Sequence, residues 1–144
     1  MGTSVAVLST MRPYARTEEH VGEWKVTIRA DSLAELFAEA ARVVARTGGR
    51  PRGAAGEWEH VSLAARDAPT LLVDWVNELI GRSEISRRAY HEVRFEKLED
   101  GQLEADVRGR QVEVWLSPLK AATYHRLELA RDGDRWRAVV LFDV

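Results

Sequence analysis

Asp143, the terminal Val144 and Lys120 are the residues whose types and placing suggest chemistry. Asp143 stands one residue from the α-carboxylate of Val144, so two negative groups share that end. Lys120 precedes them at a distance, but two apolar-alternating runs joined by Arg131-Asp132-Gly133-Asp134 bring it back. In the second run Trp136, Ala138, Val140, Phe142 and Val144 take one face. Arg135, Arg137, Val139, Leu141 and Asp143 take the other. Strict alternation argues a half-buried strand, and Asp-Gly between two such runs argues a hairpin. Folding about Gly133 returns Lys120 toward Asp143. A carboxylate, a terminal carboxylate and an ammonium group then meet at one corner of a sheet.

Other chemistries find no residues to carry them. The chain has no cysteine, which excludes disulfides, zinc-thiolate sites and thiol catalysis. No Ser-His-Asp arrangement is readable. Gly48-Gly49 and Gly53 to Gly56 lack the lysine of a phosphate-binding loop. The formal charge of -2 leaves no global basic footprint for gripping nucleic acid alone. Arg135 and Arg137, with Arg126 across the hairpin, read as a solvated sheet face or a small basic patch. His20 and His125 read as hydrogen-bonding or packing residues. No run is apolar enough to span a membrane. The start of the chain resembles neither a secretory signal nor, with Ala6 at the sixth position, a myristoylation site. The expected compartment is the cytoplasm.

The elements that must position the corner follow from periodicity. With 144 residues, 45% of them hydrophobic and 31% charged, the chain suits one soluble domain with a core. Residues 1–17 read as a tail or an edge strand through Val5, Val7 and Leu8 that Pro13 stops; residues 18–144 form the domain. Trp24 to Ala30 alternates as a strand. Ser32 and Glu35 then spell a capping box, and Leu33, Leu36, Phe37, Ala40, Ala41 and Val44 repeat at helical spacing up to Gly48-Gly49. Pro51 to Gly56 reads as a loop and Trp58 to Ala65 as a strand. Asp67 and Pro69 open a second helix with an apolar stripe of Leu71, Leu72, Trp75, Val76, Leu79 and Ile80, which Gly81 closes. Arg82 to Arg88 is a polar connection. Glu92 to Leu98 and Leu103 to Val107 are strands about a Glu99-Asp100-Gly101 turn, and Val112, Val114 and Leu116 offer a continuation. Trp24, Trp58, Trp75, Trp115 and Trp136 mostly fall on inward faces. Strands and helices do not alternate regularly. The expected fold is therefore α+β, a mostly antiparallel sheet of about six strands covered by two amphipathic helices.

Several segments, in order, resemble one family. Lys120-Ala121-Ala122-Thr123-Tyr124-His125, a strand, an Asp-Gly turn and a strand ending in Asp143 look like the end of archease. Glu19-His20-Val21-Gly22-Glu23 stands where that family has Asp-His-Thr-Ala-Asp, followed by a strand and a Ser- or Thr-capped helix. Leu71-Leu72-Val73-Asp74-Trp75-Val76-Asn77-Glu78-Leu79 resembles its second helix. The resemblance covers residues 19 to 144.

Archease activates the GTP-dependent RNA ligase of tRNA splicing and RNA repair. The resemblance implies an accessory factor and no enzyme, with the ligase as partner and RNA contacted only indirectly. It implies that Glu23, Asp143 and Val144 bind a divalent metal, with Lys120 as the functional lysine. Oxygen donors of this kind select Ca²⁺, Mg²⁺ or Mn²⁺. There are departures. Glu23 replaces Asp, Val21 and Gly22 replace Thr and Ala, Lys25 stands where Gly is common, and the stretch from Gly109 to Lys120 is short and poor in acids. These departures support a rival reading, a chaperone-like or protein-interaction module that keeps the fold without the metal role. A hydrolase using Glu23 and Asp143 as acid and base ranks last, since no substrate cleft is readable.

Overall fold

A computed structural model describes residues 12–144. The expected strand at Val5, Val7 and Leu8 lies outside them. The elements in chain order are β1 (Tyr14–His20), β2 (Glu23–Ala30), α1 (Leu33–Gly48), β3 (Pro51–Ala55), β4 (Glu59–Ala64), α2 (Ala68–Ser86), β5 (Arg88–Glu99), β6 (Gln102–Val112), β7 (Ala121–Asp132) and β8 (Arg135–Asp143). The α+β class is as expected, with eight strands in two four-stranded sheets where a single sheet of about six was read. The first sheet runs β1-β2-β8-β7. In the second, β6 carries β5 on one edge and β3 and β4 on the other, and every pairing in both sheets is antiparallel.

Each helix begins where its cap residue stands. The Glu35 N–H donates to Ser32 Oγ at 3.1 Å, and the Ser32 hydroxyl donates to Glu35 Oε1 at 3.1 Å. The Thr70 N–H donates to Asp67 Oδ1 at 2.9 Å, and hydrogen bonding from the Thr70 side chain and then from this N–H holds Asp67 below the ordinary carboxylate range. α1 ends at Gly49, whose φ of 125° favours glycine and where a Cβ would lie 2.4 Å from the Val114 carbonyl oxygen. α2 does not stop at Gly81. It runs on to Ser86, and Arg87 closes it in the left-handed conformation, donating its N–H to Ser83 O at 2.7 Å. Burial of Ser83 and the hydrogen bonds of Arg82 to Glu59 and to the His60 carbonyl oxygen outweigh the modest cost of one glycine inside a helix.

One core joins the inner faces of both sheets to the stripes of both helices. α1 packs on β2 and β5, α2 on β7 and β5, and the helices touch each other. Trp75 is fully buried; its indole N–H donates to the Phe37 carbonyl oxygen at 2.9 Å and its ring meets Phe95 at 5.6 Å. The other tryptophans are only partly buried. Trp58 faces outward from the second sheet, with the Arg94 and Arg108 guanidinium groups 3.9 and 4.5 Å from its ring. Trp115 packs on Gly48 instead of extending β6, leaving Val114 and Leu116 exposed.

Two strands gave no periodic signal. β3 occupies the stretch read as a loop, because β6 runs on to Val112 and offers it an edge, with Pro51 opposite Val112 and Arg52 opposite Gln111. β1 lies along β2 from Tyr14 opposite Arg29 to His20 opposite Glu23. β8 is buried on both faces from Ala138 to Phe142, where alternation predicted one wet face. It lies between β2 and β7, and long polar side chains, among them Glu18, Lys25, Arg126 and Glu128, line the groove over Val139 and Leu141. No helix among the described residues is long and apolar enough to cross a membrane.

Trp75→Ala should cost about 3–5 kcal/mol in denaturant melts, from the lost transfer energy and the cavity left behind. Gly81→Ala should act oppositely. A Cβ at Gly81 meets nothing within 4 Å, so the melting midpoint should rise by the equivalent of about 1 kcal/mol of helix propensity.

Candidate metal centre

The β2–β8 register decides what the corner contains. Val26, Ile28, Val140 and Phe142 must face the core together, and this sets Glu23 directly opposite Asp143. On the far side of Asp143 lies Ala121, the first residue of β7. The next row outward holds Gly22, Val144 and Lys120. The Val144 N–H donates to the Gly22 carbonyl oxygen at 3.2 Å, and the Lys120 N–H donates to the Asp143 carbonyl oxygen at 2.9 Å. The chain's last residues are thus tied to the β1–β2 turn on one side and to the entry of β7 on the other. All four residues singled out in the sequence come to this corner.

Strand alternation divides them between two faces. Glu23 lines an open groove of 420 Å³ with His20, Glu18, Lys25 and Arg126. Lys120 and Val144 line a cleft of 710 Å³ on the other side, with Ser83, Glu84, Arg87 and Trp115. Glu23, Asp143 and Lys120 are exposed, and among the described residues none of them has an ion pair. Lys25, the cation near Glu23, is instead 4.0 Å from Glu18. Side chains directly opposed in an antiparallel pair have Cβ atoms about 5 Å apart. Two carboxylates at that spacing repel unless a proton or cation stands between them. The donor set is oxygen only, and in kind it fits a hard divalent ion.

The other sequence candidates resolve differently. His20 and His125 are exposed and make no side-chain hydrogen bond among the described residues. Arg135 binds Asp31 at 2.9 Å and Arg137 binds Glu128 at 2.9 Å, so neither offers a free basic patch.

The positioning residues were not foreseen. Asn77 on α2 donates its Nδ2 to the Ala122 carbonyl oxygen at 3.1 Å and accepts the Ala122 N–H at Oδ1 at 2.7 Å. It thereby acts as a missing neighbour strand for the outer edge of β7. One turn earlier Asp74 accepts the Tyr124 hydroxyl at 2.5 Å, and the carboxylate lifts that hydroxyl above its ordinary pKa. Leu119 is buried just before Lys120. The backbone on both sides of Lys120 is therefore fixed while its side chain stays exposed. Asp74 and Asn77 are polar residues three apart beside the apolar stripe of a helix, and that spacing was the available signal.

Replacing Asn77 with Leu should cost about 1–3 kcal/mol, because both backbone groups of Ala122 lose their partner. Amide hydrogen exchange should quicken at Ala122 and Lys120 while β2 stays protected.

The family model described as "Archease protein family (MTH1598/TM1083)" matches residues 16–144. The protein archease of Methanosarcina acetivorans is 32% identical over 138 residues, covering 88% of this chain and 92% of its own. That of Methanosarcina mazei is 25% identical over 135 residues, with the same coverage of 88% and 92%. Among solved structures, an archease of Thermotoga maritima described as a possible chaperone has a TM-score of 0.66 and 25% identity, covering 90% of this chain and 96% of that one. Protein 1598 of Methanobacterium thermoautotrophicum shares the fold, with a TM-score of 0.67, 19% identity and coverage of 90% and 98%.

Proposed function

The chain belongs to the archease family, and on that premise we propose that it is an accessory factor that activates a GTP-dependent RNA ligase in tRNA splicing or RNA repair. The observation that best supports this reading is the Glu23–Asp143 register pair, with Lys120 one row away. Glu23, Asp143 and the terminal group or carbonyl of Val144 would hold Ca²⁺, Mg²⁺ or Mn²⁺. When bound, the ion would supply positive charge between the paired carboxylates and open positions for a partner's oxygen ligands. The chain's own residues present the site. Glu23 and Asp143 provide two exposed carboxylates from rigid strands. Lys120 offers an exposed ammonium, backed by a fixed main chain, to an anionic group on the partner. The reactive nucleophile would belong to the ligase.

Calorimetry with Ca²⁺, Mg²⁺ and Mn²⁺, paired with ligase turnover, tests the reading. Asp143→Asn keeps the shape and removes a charge. It should abolish both metal binding and ligase activation and leave folding stability within about 1 kcal/mol of the parent. Glu23→Asp shortens one arm by a methylene and should strengthen binding. If the parent and Asp143→Asn bind every metal alike and activate alike, the corner is an ordinary sheet end.

The second reading is a chaperone-like or protein-interaction module without the metal role. The longer arm of Glu23 favours it, as does the separation of Glu23 and Lys120 onto opposite faces. Activation that survives Asp143→Asn would support that module. In either case the isolated protein should bind RNA weakly and only at low salt, since its net charge is -2. Tight RNA binding at physiological salt, in a filter assay, would point instead to a direct RNA-binding role.

A further inference from the structure

The outer face of the second sheet carries another set of ligand-type side chains. Its strands line up in cross-strand rows. His60 of β4 faces Asp106 of β6, and Asp106 faces Arg94 of β5. In the next row Ser62 faces Glu104, and Glu104 faces Lys97. The β5–β6 register shifts between Phe95 and Lys97, which leaves Glu96 as the extra residue of a bulge. Glu96 joins the other two: one ligand atom from each of His60, Glu96 and Asp106 lies within 4.8 Å of the rest.

The surrounding contacts hold these donors in place. His60 Nδ1 is 3.0 Å from Asp106 Oδ1, and Nε2 is 2.7 Å from Glu104 Oε1. Arg94 donates to the second oxygen of Asp106 at 3.3 Å, and Ser62 to the second oxygen of Glu104 at 2.6 Å. Glu96 alone of the three carboxylates has no hydrogen bond or ion pair among the described residues. A carboxylate oxygen of Glu96 lies within 4.8 Å of a ring nitrogen of His60.

We propose that His60, through Nδ1, with Glu96 and Asp106 binds a divalent first-row transition ion of the zinc class, water completing the coordination and Glu104 accepting the N–H of Nε2. One imidazole nitrogen with carboxylate oxygens is a donor set for zinc and its neighbours, whereas the all-oxygen corner of Glu23 and Asp143 suits calcium or magnesium. The donors stand on β4, β5 and β6, so the ion ties three adjacent strands together. Arg94 anchors the far oxygen of Asp106, and Glu104, itself held by Ser62, fixes the imidazole from its other nitrogen, as outer partners of a metal-ligating histidine do. The site is independent of the ligase reading, since it shares no residue with the corner.

The test is calorimetric titration of the full chain with Zn²⁺, repeated with Co²⁺ to read visible d–d bands. One ion should bind per chain at this site. His60→Ala and Glu96→Gln should each weaken binding at least about tenfold and remove the cobalt bands. Asp143→Asn should leave both readouts unchanged. Glu96→Gln keeps shape and exposure, and circular dichroism of each variant confirms folding. Absence of binding by the parent would overturn the proposal. So would zinc affinity that His60→Ala leaves intact, or that falls only with Asp143→Asn.

Discussion

Pairing of β2 with β8 is the constraint on which the structure depends. It joins an early strand to the last one and places both at the centre of the first sheet, between β1 and β7. Its register is fixed by what must stay dry. Val26, Ile28 and Ala30 face the core together with Ala138, Val140 and Phe142. A one-residue slip would turn every one of those side chains to the wrong face. The exposed carboxylates at the end of the ladder inherit that rigidity: Glu23 meets Asp143 because the apolar residues between Trp24 and Phe142 leave no other pairing.

Where burial writes a pattern, the elements were legible. The Ser32 and Asp67 caps, the stripes of both helices, the Gly133 hairpin and the strand from Trp24 to Ala30 each announce themselves by period or by cap chemistry. β1 and β3 are edge strands whose side chains mostly face water, so no alternation marks them. The overrun of α2 past Gly81 is a tertiary effect, since Arg82 reaches Glu59 and the His60 carbonyl oxygen and Ser86 meets the Tyr90 hydroxyl. The buried outer face of β8 depends on polar side chains from other strands folding over Val139 and Leu141, which no window along the chain can register.

The site was legible in part, for a related reason. Asp143, Val144 and Lys120 follow from the hairpin alone, and Glu23 enters through resemblance to the family. The assignment of Glu23 and Lys120 to opposite faces follows from counting rows outward from a known register. Asn77 was hidden because its role is to replace a backbone neighbour. A side chain that pairs with Ala122 at both N–H and C=O works as a piece of strand carried on a helix. Its value lies in geometry that only the docked helix creates.

The place of β8 has a consequence for how the protein comes into being. It is the last strand in chain order, yet it occupies an interior position in its sheet. During synthesis β1 and β2 can form a hairpin early, but β2 then waits with one open edge until more than a hundred residues have followed. The first sheet cannot close progressively; it closes by insertion of a late segment between β2 and β7. Such long-range closure is slow, and the open edge of β2 is the surface a nascent chain must keep from foreign strands meanwhile.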